Sequence, residues 1–339
     1  MISLLERFLQ TQEEPSSVIP EDELNSFIDL AVKQFDSRLS VIPGYRKKLR
    51  APVETALLYL ESLIERIPGP IEVSKSAYGG DPRVNAYFGS FEQIEHLFSH
   101  SREFREFAQN PASFGLSHGY ALLLMSRQEK RRPGHVLNGD RLQCDVMQEI
   151  VVFSGHHLAA PAVSDLDTRK ALRTREFGHL VAEAEQRVAR HTERKADLQR
   201  QRMTQQLGLK SCAEQQRDRE VDISPPDAGE HSCSELTRQL RDTELEIDKT
   251  AGSLKTINDY LELLIEVLGN PSGSCTLTTQ SDCLNRANVR VEAGMGSEIP
   301  YAEMRIGAFQ NQSVLVKYPL AETVDRSSIS DLLHSVYQS

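Results

Sequence analysis

The chain has no tryptophan, and its 12 Phe and 9 Tyr make up only 6% of 339 residues, so a binding surface built on stacked rings is poorly supplied. Its five cysteines (Cys144, Cys212, Cys233, Cys275 and Cys283) are too few for a dense disulfide framework, and their odd number leaves at least one thiol unpaired. That pattern suits a reducing compartment, and the expected location is the cytoplasm. An excess of basic residues is also lacking. With 39 Lys and Arg against 49 Asp and Glu, the formal net charge is −10, which argues against a protein that coats nucleic acid by neutralising phosphates. The most apolar runs, Ala121–Met125 and Ile150–Phe153, fall far short of the roughly 20 residues that cross a bilayer, so no membrane span is expected. At the N-terminus Ile2, Leu5, Phe8 and Leu9 recur with helical spacing and do not form an export signal. The phosphate-loop pattern GxxxxGKS/T and the hydrolase elbow GxSxG are absent. Gly79-Gly80-Asp81 and Gly294-Met295-Gly296 read only as glycine turns, and no cofactor is implied.

What is present is an alternation of helical and extended periodicity. Residues 1–70 read as an N-terminal helical region: Leu24, Phe27, Ile28, Ala31, Phe35 and Leu39 make one apolar face of a helix over 21–39. Leu57, Leu60, Leu63, Ile64 and Ile67 make another over 51–67, which Pro68-Gly69-Pro70 ends. Residues 71–165 read as short helices, near Asp81-Pro82, 91–98 and 103–109, followed by a β unit. In that unit Leu142, Cys144, Val146, Gln148, Ile150 and Val152 form one face of a half-buried strand, and Asn138-Gly139 supplies a hairpin turn. Strand patterns return in 270–339, at 275–279, 288–292 and 301–318, with a short helix at 326–337 to finish. The fold class that follows is α+β, with a mostly antiparallel sheet built from two separated segments.

Between those segments lie two long helical patterns, over 166–269. The first has a seam at Phe177, Val181, Ala184, Val188, His191, Lys195, Leu198, Arg202 and Gln205; the second repeats Leu240, Ile247, Leu254, Leu261 and Leu268 at seven-residue steps, with Leu236 ahead of them. Over 169–206 ten basic residues face five acidic ones, a net of +5, whereas over 235–268 four face eight, a net of −4. Complementary charge and a breaker-rich connection at about 207–233, containing Ser224-Pro225-Pro226, predict an inserted antiparallel coiled-coil hairpin with a flexible tip. Pairing within one chain and pairing between two copies, as a homodimer, fit the sequence equally.

Candidate chemistry is sparse. His156 and His157, with Asp145 upstream, are the residue types of a divalent metal site or a general base, but neighbours on a strand point to opposite faces, and ordinary strand-end histidines have the same sequence. His96 and His100 are spaced i, i+4 without the Glu of a metalloprotease helix. Cys212, His231 and Cys233 flank the hairpin tip and read first as plain linker residues; a zinc clasp there lacks a fourth ligand, and a stress-induced disulfide fits better than zinc. Arg127, Lys130, Arg131 and Arg132 precede Pro133-Gly134 and read as a cationic turn. The expected function is therefore that of a scaffold, adaptor or regulatory protein without catalytic activity, docking a protein partner through the hairpin at His191, Lys195, Arg202, Leu236 and Leu240. The alternatives are a metal-dependent or hydrolytic enzyme at His156 and His157, and nucleic-acid binding through the basic first arm.

Overall fold

The structure, a computed structural model, describes residues 19–138, 141–219, 229–252, 254–307 and 309–322. The expected helices at the N-terminus and at 326–337, the Asn138-Gly139 turn and the Ser224-Pro225-Pro226 breaker lie wholly or partly outside them. The elements in order are α1 (Glu21–Phe35), α2 (Tyr45–Glu65), β1 (Ile71–Glu72), α3 (Lys75–Gly80), α4 (Pro82–Tyr87), α5 (Phe91–His100) and α6 (Arg102–Ala108). There follow β2 (His118–Asn138), β3 (Arg141–Ala162), α7 (Asp165–Arg219), α8 (Gly229–Ala251), α9 (Ile257–Gly269), β4 (Cys275–Leu284), β5 (Ser297–Ile306) and β6 (Phe309–Pro319). The architecture is α+β with a mostly antiparallel sheet. Two compact units comprise residues 1–56 with 180–270, and 57–179 with 271–339. No described helix is long and apolar enough to cross a membrane.

The first unit is helical. Leu24, Phe27, Ile28 and Ala31 of α1, Leu49 and Val53 of α2, Leu180, Val181 and Ala184 of α7, and Leu261, Leu264 and Leu268 of α9 are all buried. Ion pairs at the rim join the same helices: Arg46–Asp29 and Arg50–Glu21 link α2 to α1, Lys48–Glu262 links α2 to α9, and Arg187–Glu266 links α7 to α9. The second long helical pattern is not one helix. It breaks after Ala251, where Leu254 takes φ of 54°, and restarts as α9 with a capping box between Thr256 and Asp259. Gly252 and the Thr256-x-x-Asp259 spacing are the local signals for that break, and they override a heptad that runs unbroken through Leu254. The first arm, in contrast, does not end near 206. It stays helical to Arg219, because nothing between 207 and 219 breaks it except Gly208, which sits against Leu236.

The second unit holds a six-stranded sheet in the order β3-β2-β6-β5-β4, with β1 parallel to β6. One sheet face, including Leu123, Val151, Phe153, Leu158, Val314, Val316 and Tyr318, packs in a single core with Tyr87, Phe88, Ile94, Phe98 and Phe104 of α4–α6. The pairing of β2 residues 118–125 with β6 residues 312–319 joins chain segments almost 200 residues apart. Beyond Met125, β2 pairs with β3 alone, as a ribbon that runs out to Asn138. Arg127, Lys130, Arg131, Arg132, Pro133 and Gly134 belong to this ribbon strand and not to a turn. Pro133 is tolerated because its strand has no ladder partner on the other side.

β3 departs from the expected alternation. Its pairing with β2 slips three times, and each slip contains a residue of β3 with positive φ: Asp145 (61°), Gly155 (64°) and Ala160 (51°). Each bulge adds one residue and reverses which side chains face inward. As a result the buried side chains are Val151 and Phe153, then Leu158, whereas Ile150 and Val152 stay partly exposed and Cys144 is fully so. The continuous face Leu142 to Val152 is thereby corrected.

Where the ribbon leaves the sheet, a polar network takes over from apolar packing. Asp282 of β4, with its side chain 8% exposed, accepts from Arg127 Nε at 2.7 Å and Nη2 at 3.0 Å, from Arg290 Nη2 at 3.0 Å, and from the Tyr301 hydroxyl at 3.2 Å. Glu129 bridges the same two arginines. Burial pushes the Asp282 carboxyl up, but the hydrogen bonds and charges of Arg127 and Arg290 outweigh it and hold it below the usual aspartate value of 3.8. The stability this group contributes is therefore full above about pH 4 and is lost as pH falls through the lower folded-state value. Asp282→Ala leaves Arg127, 17% exposed, with Glu129 as its one remaining carboxylate partner among the described residues and is expected to cost about 3 kcal/mol in urea unfolding, with no further acid loss from this position. A loss under 1 kcal/mol would show that the network is not what ties the ribbon to β4.

Candidate functional site

The helix pair α7/α8 is the feature most unlike a plain core element, and its geometry follows from which seam residues are apolar. His191 Nε2 donates to the Thr250 carbonyl at 3.1 Å, Arg194 donates to Glu246, Gly208 faces Leu236, and Cys212 is disulfide-bonded to Cys233 with Cα atoms 6.0 Å apart. The partner number falls as the first number rises, so the helices run antiparallel within one chain. Leu198 and Thr243 are buried at this seam, and Leu236, Leu240, Ile247, Thr250 and His191 are half-buried beside them. Lys195 and Arg202 are exposed. The seven-residue line that faces α8 is His191, Leu198, Gln205 and Cys212, and the two long cations stand off it, where their charge stays hydrated.

Opposite that line, by the helical rotation of about 100° per residue, stand Met203 and Leu207. They are 64% and 54% exposed on adjacent turns, and Leu245 holds the corresponding outward position on α8 at 54%. Arg200 and Lys210 flank the α7 pair. The seam pattern did not single out these three residues; the spacing of Met203 and Leu207 at i, i+4, off the seam, was the available signal. Of the two flanking cations Arg200 pairs with Asp197, and other α7 cations are engaged as well: Arg187 pairs with Glu266, Arg190 with Glu183 and Arg194 with Glu246.

The histidines at the end of the ribbon have separate surroundings. His156 follows the Gly155 bulge, stacks on Phe88 with ring centroids 4.7 Å apart, and donates from Nε2 to the Tyr87 carbonyl at 2.7 Å. Burial pushes its basicity down. His157 is exposed, 3.9 Å from Glu103, whose carboxylate also receives Arg175 and the Ala160 amide. Asp145 is an exposed bulge residue eleven positions earlier, about 30 Å away at the usual strand rise. The fold thus keeps His156, His157 and Asp145 apart, and no group of three or more His, Cys, Asp or Glu side chains with metal-site geometry occurs among the described residues. His96 and His100 stack at 4.0 Å on α5 as a pair. Cys275 is buried, and its thiol is pushed up to about 12, far from a reactive thiolate.

Two outcomes test these assignments. Because His156 is held neutral below the ordinary imidazole value of 6.5, the unfolded chain takes up its proton first, and stability falls as pH drops below 6.5. In His156→Gln that component of the fall between pH 7 and 5.5 disappears, as read by thermal melting. The Cys212–Cys233 bond closes a loop with a sequence separation of 21, and Cys212→Ser or reduction is expected to weaken the helix pair by about 3 kcal/mol in chemical denaturation. Comparison with protein-family models, with curated proteins and with solved structures finds no match to this chain.

Proposed function

We propose that the chain is a non-enzymatic interaction protein of the scaffold or regulatory kind, docking a protein partner on its α7/α8 helices as an antiparallel coiled-coil hairpin. The observation that carries this reading is the exposed pair Met203 and Leu207 on the outer side of a helix whose seam is already occupied. Covering what remains exposed of these two side chains is worth roughly 2 to 3 kcal/mol before ordering costs, enough to make them the centre of a helix-in-groove or helix-on-helix contact. Lys210 at the rim, which makes no ion pair with a described residue, favours a partner segment that is apolar at i and i+4 and acidic at the flank that meets it. The ion pairs of Arg187, Arg190, Arg194 and Arg200 with carboxylates of this chain leave the arm less cationic than its composition, which favours a protein over a nucleic acid as the ligand.

The test is capture from native cell extract by the whole protein and by the double variant Met203→Glu, Leu207→Glu, followed by reconstitution of the captured pair from purified components. The double variant is expected to bind at least tenfold more weakly while melting as the parent does, because both side chains are solvent-exposed. Equal binding by the two proteins would defeat the proposal. A doubling of mass in light scattering that the double variant abolishes would make the occupant a second copy of this chain.

A further inference from the structure

In the sheet-containing unit the fold brings together two glycine-bearing segments that are far apart in sequence, Gly79-Gly80-Asp81 at the end of α3, where a turn was expected, and Gly294-Met295-Gly296, with the Asn285-Arg286 turn. They line one open cavity of ≈ 620 Å³. That volume lies within the range of small-molecule sites. Its walls are preformed. Asn285 Oδ1 accepts from the backbone amides of Ala287 and Val289, and Gly296 is packed so closely that a Cβ there would meet the Leu284 carbonyl oxygen at 2.5 Å.

The charge pattern is specific. Asp81, the carboxylate on the wall, is neutralised by Arg83, with Nε at 3.0 Å and Nη2 at 2.6 Å. Arg286 forms no ion pair or hydrogen bond with any described residue, so the cavity keeps one uncompensated guanidinium. Asn85 and Ser297, also on the wall, have side-chain donors without a partner among the described residues, and Tyr78, Met295 and Ile299 supply apolar surface. Gly79 and Gly80 add bare backbone. Both sit in a helix, where glycine costs about 1 kcal/mol relative to alanine, yet nothing lies within 4 Å of where their Cβ atoms would be. Neither close packing nor a positive φ calls for glycine at these positions, and both residues line the cavity.

We infer that this cavity binds a small organic anion, a carboxylate or phosphate monoester on an apolar or aromatic body, with Arg286 taking the anionic group, Asn85 and Ser297 hydrogen-bonding to it, and Met295 and Tyr78 covering the body. This reading is independent of the helix-pair docking site, and neither depends on the other's outcome.

The probes are benzoate and phenyl phosphate, with benzamide as the uncharged counterpart, titrated into the full chain by calorimetry and by ligand-observed saturation-transfer NMR. Both anions are expected to bind saturably, and benzamide at least tenfold more weakly, as a lost charge-assisted hydrogen bond implies. Arg286→Ala is expected to weaken both anions at least tenfold and to leave the melting temperature unchanged, since the side chain is exposed and without a partner among the described residues. Asn85→Ala is expected to weaken them severalfold. Arg305→Ala, which removes a surface cation on β5 outside the cavity, should change nothing and controls for nonspecific charge. Failure of both anions to saturate, equal binding of benzamide, or undiminished binding to Arg286→Ala would overturn the inference.

Discussion

A carboxylate held between two guanidinium groups is the constraint on which the arrangement of the sheet unit depends. Removing Asp282 from water is costly, and the cost is offset only when every acceptor position is filled, here by Arg127 from β2, Arg290 from the turn after β4 and the hydroxyl of Tyr301 from β5. Those partners come from three separate segments, so the network holds only when all three are in register. It sits where β2 leaves β6 and continues as a two-stranded ribbon, a place where apolar cross-strand packing is thin and an isolated ribbon is only marginally stable. Arg290 also reaches Glu129 and Glu149 on the ribbon, and its backbone amide donates to the Glu149 carbonyl at 2.8 Å. The ribbon is therefore fastened to the sheet by charge and backbone contacts.

The same ribbon shows how backbone conformation decides which side chains do chemistry. Positive φ at Asp145, Gly155 and Ala160 reverses the facing of β3 three times over its length. Between the second and third reversals lie His156 and His157. One packs on Phe88 with its ring hydrogen-bonded and largely desolvated, and the other lies in solvent beside Glu103. A histidine pair that composition alone marks as a possible ligand set is divided by a glycine bulge into a packing residue and a surface residue.

In the helical unit, composition and geometry answer to different forces. The apolar heptad positions near α9 are buried deeply, whereas toward the Cys212–Cys233 bond the seam becomes polar and the pairing leans on His191, Arg194 and the disulfide. Side chains that a dry seam would exclude, Lys195 and Arg202, turn outward, and the side of α7 facing away from α8 carries Met203 and Leu207 instead.

Periodicity by itself determined the α+β class and the helical character of 166–269, and the opposite net charges of its two halves pointed to antiparallel pairing, because burial of one face and net charge follow from residue spacing and composition alone. The short helices from 82 to 108 were legible for the same reason: Asp81, Ser101 and Pro82 are local start signals that need no distant partner. Tertiary structure decided the rest. The facing of β3 depends on bulges whose positions are set by pairing with β2. The Asp282 network and the Arg286 cavity join residues from remote parts of the chain, and no single window of sequence contains the distances that make a buried ion pair complete or a lone arginine available.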